Sequence, residues 1–261
     1  MNWKIACIQM DISFGNPEVN YKNAKAMLSR AAEDSPDVVI LPELWTTGYD
    51  LTRLDEIADE NAQETLSFLK KCAKQFKFHI IGGSVASKTD EGVFNTLLVI
   101  DKNGEEIKQY DKLHLFKLMD EHHFLQPGNK DGFFSLDDQL CAGFICYDIR
   151  FPEWIRTHTS KGAKVIFVTA EWPKPRLAHW RSLLISRAIE NQAYVVGVNR
   201  SGSDPKNEFA GHSMIIDPWG EVLAEAGDQE QILQGEIELK KVDEVRKLIP
   251  VFQDRRTEFY K

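Results

Sequence analysis

The sequence predicts an α/β fold of stacked layers, and three observations carry that prediction. Short apolar runs of strand length alternate with stretches of helical periodicity along all 261 residues. Two turn-centred strand pairs interrupt the alternation. No Pro/Gly/Ser-rich or charge-rich linker divides the chain, which favours one domain over 1–261 with a tail from about residue 241.

Taken in order, residues 5–10 form the first strand, and Gly15-Asn16-Pro17 turns the chain into a helix over about 19–32. Residues 37–41 are a continuous apolar run of the kind buried on both faces, closed by Pro42-Glu43. Over about 61–76, Leu66, Leu69, Ala73 and Phe76 recur at helical spacing and define one buried face. The strand over 79–85 contains Gly82-Gly83. Neither a dinucleotide fingerprint nor P-loop spacing surrounds that pair, so these glycines are read as letting strands pack closely. Residues 95–100 and 106–110 flank Asn103-Gly104, a hairpin signal, and Lys112 follows the second arm. The next two dozen residues, with Glu121, His122, His123 and Pro127-Gly128, show little periodicity and read as a structured loop over a site.

Residues 140–145 make a strand that ends at Cys146, and Pro152 at a first helical position opens a helix. Another buried strand over 163–170 runs into Glu171-Trp172-Pro173, and a helix over about 177–192 leads to a strand over 193–199. Residues 212–217 and 221–225 pair around Pro218-Trp219-Gly220, 231–238 is a last strand, and a short helix lies around 242–248.

Composition narrows the function. Apolar residues make up 43% and charged residues 28%, enough for a packed core. A formal charge of −8 and a pI near 5.5 argue against a nucleic-acid partner or an anionic membrane, since both call for basic clusters. A small-molecule substrate fits better. Cys7, Cys72, Cys141 and Cys146 follow no metal-ligand spacing and are too few for a disulfide framework, so free thiols and no metal are expected. Residues 1–10 lack a basic stretch ahead of a long apolar one, and no apolar run approaches the ~18 residues of a membrane span. A cytoplasmic protein is expected.

Glu43, Lys112 and Cys146 each stand just past a strand. Neighbouring strand ends form the edge where ligands bind in α/β sheets, so an acid, a cation and a thiol could share one pocket. A sulfur at a strand-to-helix junction also lies near unpaired N–H groups and the positive end of the helix dipole, which favours the thiolate. Each residue has a plainer explanation: a helix cap for Glu43, a solvated charge for Lys112, a small buried hydrophobe for Cys146. Spacing alone does not decide whether they meet.

Leu41-Pro42-Glu43-Leu44, Tyr110-Asp111-Lys112-Leu113-His114-Leu115 and Ile145-Cys146-Tyr147-Asp148-Ile149-Arg150-Phe151-Pro152-Glu153 resemble, in order, the three signature blocks of the nitrilase superfamily of carbon–nitrogen hydrolases. Residues 187–192, 211–213 and 217–220 fit as well, so the resemblance runs end to end. It implies a four-layer α-β-β-α sandwich with a Glu-Lys-Cys site and no cofactor. The roles implied are Glu43 as general base, Cys146 as nucleophile, and Lys112 with the backbone N–H of Tyr147 as oxyanion stabilisers. Glu121 matches a second glutamate that members place beside the triad. A carboxylate that serves as base and then as acid needs a proton affinity raised by burial, which a pocket lined by Trp45, Tyr49, Phe116, Met119 and Trp172 would supply. A papain-like site would need a histidine partner and a local pattern absent around Cys146; His114, His122, His123, His179 and His212 are read as scaffold residues.

Within the superfamily, residues 249–252, Arg255-Arg256, Phe259-Tyr260 and Ala178-His179-Trp180 resemble the omega-amidases, which hydrolyse the terminal amide of 2-oxoglutaramate and 2-oxosuccinamate. Residues 44–51 and 170–173 resemble the bacillus-type 2-oxoglutaramate amidases associated with methionine salvage. Such a substrate carries a carboxylate remote from the scissile amide. Arg150 sits where related hydrolases place a carboxylate-binding arginine and would grip it bidentately, with Arg176 as a second candidate. The structural alternative for Arg150 is an ion pair with Glu153 or Glu43. Residues 171–176 differ from the Thr-rich loop of the animal omega-amidases, so contacts there do not transfer. The runner-up is an N-carbamoyl or other aliphatic amide hydrolase, and the alternative of another class is a non-catalytic binding protein on this fold. The resemblance further implies a homodimer or higher homo-oligomer, paired near Ile155 and through tails beyond Ile249.

Overall fold

The computed structural model describes residues 1–260. Period-two alternation sorts the first sheet into two buried faces. In β1 (Asn2–Gln9), Trp3, Ile5 and Cys7 enter one apolar cluster while Ala6 and Ile8 enter another. β2 (Val38–Ile40) repeats the split, with Val38 and Ile40 on the first side and Val39 on the second. The sheet continues through β3 (Asp59–Glu60), β4 (His79–Thr89), β5 (Gly92–Ile100) and β6 (Glu106–Asp111). Its second side is covered by α1 (Pro17–Ala31) and, after the single turn α2 (Leu54–Ile57), by α3 (Gln63–Phe76).

After the one-turn helix α4 (Glu121–Phe124), the second sheet is built from β7 (Phe133–Leu136), β8 (Gln139–Ile145), β9 (Val165–Ala170), β10 (Tyr194–Asn199), β11 (Met214–Ile216) and β12 (Val222–Glu225). Its strands β8, β9 and β10 run parallel, and α5 (Pro152–Thr159) and α6 (Leu177–Asn191) lie along it. β13 (Gln231–Glu238) then returns to the first sheet and pairs antiparallel with β1, and α7 (Leu239–Leu248) follows. The inner faces meet where Leu97 of the first sheet packs over Gly143 beside Phe134, whose ring lies 6.1 Å from that of Phe167. The result is the four-layer α-β-β-α sandwich. No helix among the described residues is long and apolar enough to cross a membrane.

Two departures from the sequence expectation have local causes. The stretch after Lys112 holds α4 and β7 as well as loop; β7 pairs with β8 across Asp137 and Asp138, whose positive φ values (44° and 62°) make a tight turn without glycine. Ile155 is fully buried in the core, so it is not available to a second subunit. In the tail, the Phe252 ring lies between the guanidinium groups of Arg156 (5.2 Å) and Arg246 (4.9 Å).

Gly83 does more than permit close packing. It sits at a bulge in β4 with φ of +60°, and a Cβ there would lie 2.0 Å from the carbonyl oxygen of Pro42. Gly83→Ala is therefore expected to cost roughly 2–4 kcal/mol. A lowered urea midpoint at unchanged slope would show it, and an unchanged midpoint would contradict it.

Candidate active site

Three strand ends bring the expected residues together. Glu43 follows β2 in a turn clamped by Ser84, whose Oγ accepts from the Leu44 N–H (3.0 Å) and whose own N–H donates to the Pro42 carbonyl (3.1 Å). Lys112 follows β6, its N–H on the Asn95 carbonyl at 2.9 Å. Cys146 leaves β8 with φ of 43°, a left-handed conformation that costs a non-glycine residue about 1–3 kcal/mol and is held by its surroundings. The holder is buried Asp148, which accepts from the Ile145 N–H (3.1 Å) and the Tyr110 hydroxyl (2.8 Å) and pairs with His114 Nδ1 (2.7 Å).

Glu43, Lys112 and Glu121 are fully buried. The Lys112 Nζ lies 2.8 Å from Glu43 Oε1 and 2.6 Å from Glu121 Oε1. Asn95 Nδ2 also donates to Glu43 Oε1 (2.8 Å), and the two remaining carboxylate oxygens accept from main-chain N–H groups: Glu43 Oε2 from Glu171 (2.9 Å) and Glu121 Oε2 from Phe116 (2.7 Å). Such saturation is what makes buried charge tolerable. Tyr49, expected at the substrate, donates instead to Glu121 and, at 3.4 Å, to Glu43, bracing the two carboxylates behind the cleft.

Electrostatics reverse one expectation. Burial, and then Glu43, push the Cys146 thiol well above its ordinary pKa, against the opposing pull of Lys112. The thiol therefore keeps its proton. The helix opened by Pro152 starts six residues on, and the charges that act on the sulfur are those of Glu43, Lys112 and Glu121. For Lys112, burial alone would favour the neutral amine, but Glu121 and Glu43 outweigh it and hold the ammonium well above its usual range. Burial also raises Glu121, with Glu43 adding to it and Lys112 opposing.

Beside Cys146 and Tyr147 lies a narrow cleft. Phe116, Met119, Arg150, Trp172 and Arg176, all expected there, line it. Trp45 does not: it is buried on the outer side of the first sheet, edge-on to Tyr21 at 5.1 Å, with its indole N–H on the Gly82 carbonyl. The Arg150 guanidinium lies 4.8 Å over the Trp172 ring and 3.3 Å from His179 Nδ1, and it pairs with neither Glu153 nor Glu43. Arg176 lies 5.5 Å over the Phe116 ring. Two cations held by aromatic faces thus share the cleft with a thiol.

Sequence reasoning passed over Asn95, Glu171, Asn199 and Arg200. The last three follow or close buried strands, the same cue that singled out Glu43, and Asn199 Oδ1 accepts from the Trp172 N–H at 2.6 Å. Applied evenly along the chain, that cue would have found them.

A thiol that needs an external base, a carboxylate beside it and an ammonium within the same dry site form a set suited to acyl transfer. The chain belongs to the carbon–nitrogen hydrolase family, whose pattern matches residues 4–247. It is 56% identical over 260 residues to the 2-oxoglutaramate amidase of Bacillus subtilis (strain 168), covering all of both chains. It is 33% identical to human omega-amidase NIT2, covering 99% of this chain and 97% of that one. Among solved structures it superposes on XC1258, a CN-hydrolase superfamily protein from Xanthomonas campestris, with a TM-score of 0.92 at 30% identity, covering 98% and 97% of the two chains.

Proposed function

We propose that the protein hydrolyses the terminal carboxamide of 2-oxoglutaramate and related 2-oxo acid amides to the 2-oxo acid and ammonia. The observation that carries this reading is Arg150, a guanidinium without a carboxylate partner among the described residues, in the same small cleft as Cys146. Identity to an amidase of that name supports it. Glu43 takes the thiol proton as Cys146 attacks the amide carbon, and Lys112 with the Tyr147 N–H receives the charge forming on oxygen. The C–N bond breaks, the departing nitrogen takes the proton from Glu43, and ammonia leaves a thioester. Water, deprotonated by Glu43, then cleaves the thioester to carboxylate and thiol. Lys112 links the two glutamates, and Glu121 with Tyr49 keeps Glu43 aimed at the sulfur. No metal or organic cofactor takes part.

Ammonia release from 2-oxoglutaramate, glutamine, N-carbamoylputrescine and a simple nitrile tests the substrate. Rapid release from the first alone is expected; preference for N-carbamoylputrescine would favour the N-carbamoyl hydrolase instead. Arg150→Ala is expected to lower kcat/KM for 2-oxoglutaramate about 100-fold, chiefly through KM, by removing a charge-assisted contact. Butyramide, which lacks the carboxylate, should be hydrolysed with little change by the same variant. Equal losses on both substrates would remove Arg150 from carboxylate recognition.

The same reading places the enzyme in the cytoplasm, removing the oxo-acid amide left when glutamine donates its amino group, as in methionine salvage. It acts there as a homodimer or higher homo-oligomer joined beside α5 and through the segment beyond Ile249, with no nucleic-acid or membrane partner.

A further inference from the structure

At the end of β9, Glu171 is fully buried and engages two parts of the site at once. Its main-chain N–H donates to Glu43 Oε2 at 2.9 Å, and its Oε2 meets Arg200 Nη1 at 3.1 Å. Its Oε1 is buried with no hydrogen-bond partner among the described residues. Arg200, also fully buried, is itself fixed: Nε on the Ser201 carbonyl (2.9 Å), Nη2 on the Ile12 carbonyl (2.9 Å) and on Asp11 (3.1 Å), and its plane over Phe209 at 4.2 Å. Arg200 thereby ties the end of β10 to the segment beyond β1, and Glu43 hangs from that tie through Glu171.

We propose that Glu171 is a positioning residue for the Glu43 base, fixing where Glu43 stands and biasing the passage of the Cys146 proton towards it. The inference rests on Glu43 and Cys146 being base and nucleophile. Glu171 faces Arg200, Glu43 and Asp204, with Asp11 on the far side of Arg200. A dry carboxyl group with one cation and one bare oxygen is costly to ionise. Burial, opposed by Arg200 and reinforced by Glu43, pushes Glu171 up to about 8. When it ionises, a negative charge appears beside Glu43, with which it interacts directly, whereas the charges acting chiefly on the sulfur are those of Glu43, Lys112 and Glu121. Charge is then driven off Glu43 onto Cys146, which takes the form that attacks.

The test is alkylation of the purified protein by iodoacetamide between pH 6 and 9.5, followed at Cys146 by peptide mass spectrometry, which needs no substrate. In the native protein the rate should step up about tenfold through a transition near pH 8; a change of that size follows from one added charge in a buried site. Glu171→Gln retains an acceptor for Arg200 and the main-chain N–H, and it should lose the step. On 2-oxoglutaramate its kcat should fall about tenfold with KM nearly unchanged. A native profile with no step near pH 8, or a variant that keeps the step, overturns the inference. Glu43→Gln separates the two levels. If it leaves alkylation unchanged, the base itself is wrongly assigned and this inference falls with it. If it slows alkylation while Glu171→Gln keeps the native profile, only the positioning role falls.

Discussion

Cys146→Ala should abolish ammonia release from 2-oxoglutaramate, by roughly 10⁴-fold or more, while the protein stays folded. On the proposed mechanism the sulfur forms the acyl bond, and alanine offers no atom to replace it. Folding should be spared because alanine fills nearly the same space and the turn at residue 146 is held by Asp148, not by the thiol. Cys146→Ser should fare little better than alanine. Its hydroxyl is far harder to deprotonate, in a position where burial and Glu43 already make even a thiol keep its proton. Retention of more than about 1% of native activity in the alanine variant would remove Cys146 from the chemistry.

Lys112→Met should produce the largest loss of stability of any single change in the site. It leaves Glu43 and Glu121 buried and facing each other without their shared cation, a defect worth about 3–5 kcal/mol. Activity should fall by about 10³ as the oxyanion loses its charged partner. The sign of the pH dependence follows from the groups left behind. In the variant both carboxyl groups would gain proton affinity on folding, so the penalty is full only above their raised folded pKa values and fades as pH falls from there towards the unfolded carboxylate value of about 4.5. The native Lys112 behaves oppositely: its folded pKa lies above the ordinary 10.5, so its contribution is present through neutrality and is lost only in strong alkali. Urea melts at pH 7.5 and 5 would show the variant closing part of its gap at the lower pH. A deficit below about 1 kcal/mol at pH 7.5 would mean the carboxylates relax or neutralise without the lysine.

How much of this could be read from residues alone differs between elements for physical reasons. Strands such as 231–238 and the hairpin around Asn103-Gly104 were legible because alternation and turn chemistry are local. β7 was not, because its four residues are too few for a period and its turn uses two aspartates. Glu43, Lys112 and Cys146 were legible as strand-end residues, and their resemblance to known blocks joined them. What held them was hidden: Tyr49, Asn95 and Glu171 approach Glu43 from three separate segments, and only the packed sheets bring them together. The direction of the Cys146 shift was misread for the same reason. A helix terminus is visible in a sequence, whereas the burial that chiefly raises the thiol arises only when the packed sheets close over it.

The pairing of β1 with β13 also sets a timetable for synthesis. All eight residues of β1 find partners between Gln231 and Glu238, so one flank of that strand stays bare until nearly the whole chain has left the ribosome. An exposed edge carrying Ile5, Ala6, Cys7 and Ile8 is a template for unwanted strand addition. Contacts this distant along the chain also form slowly, so nascent chains should be vulnerable to aggregation late in translation and depend on chaperones until the last strand docks.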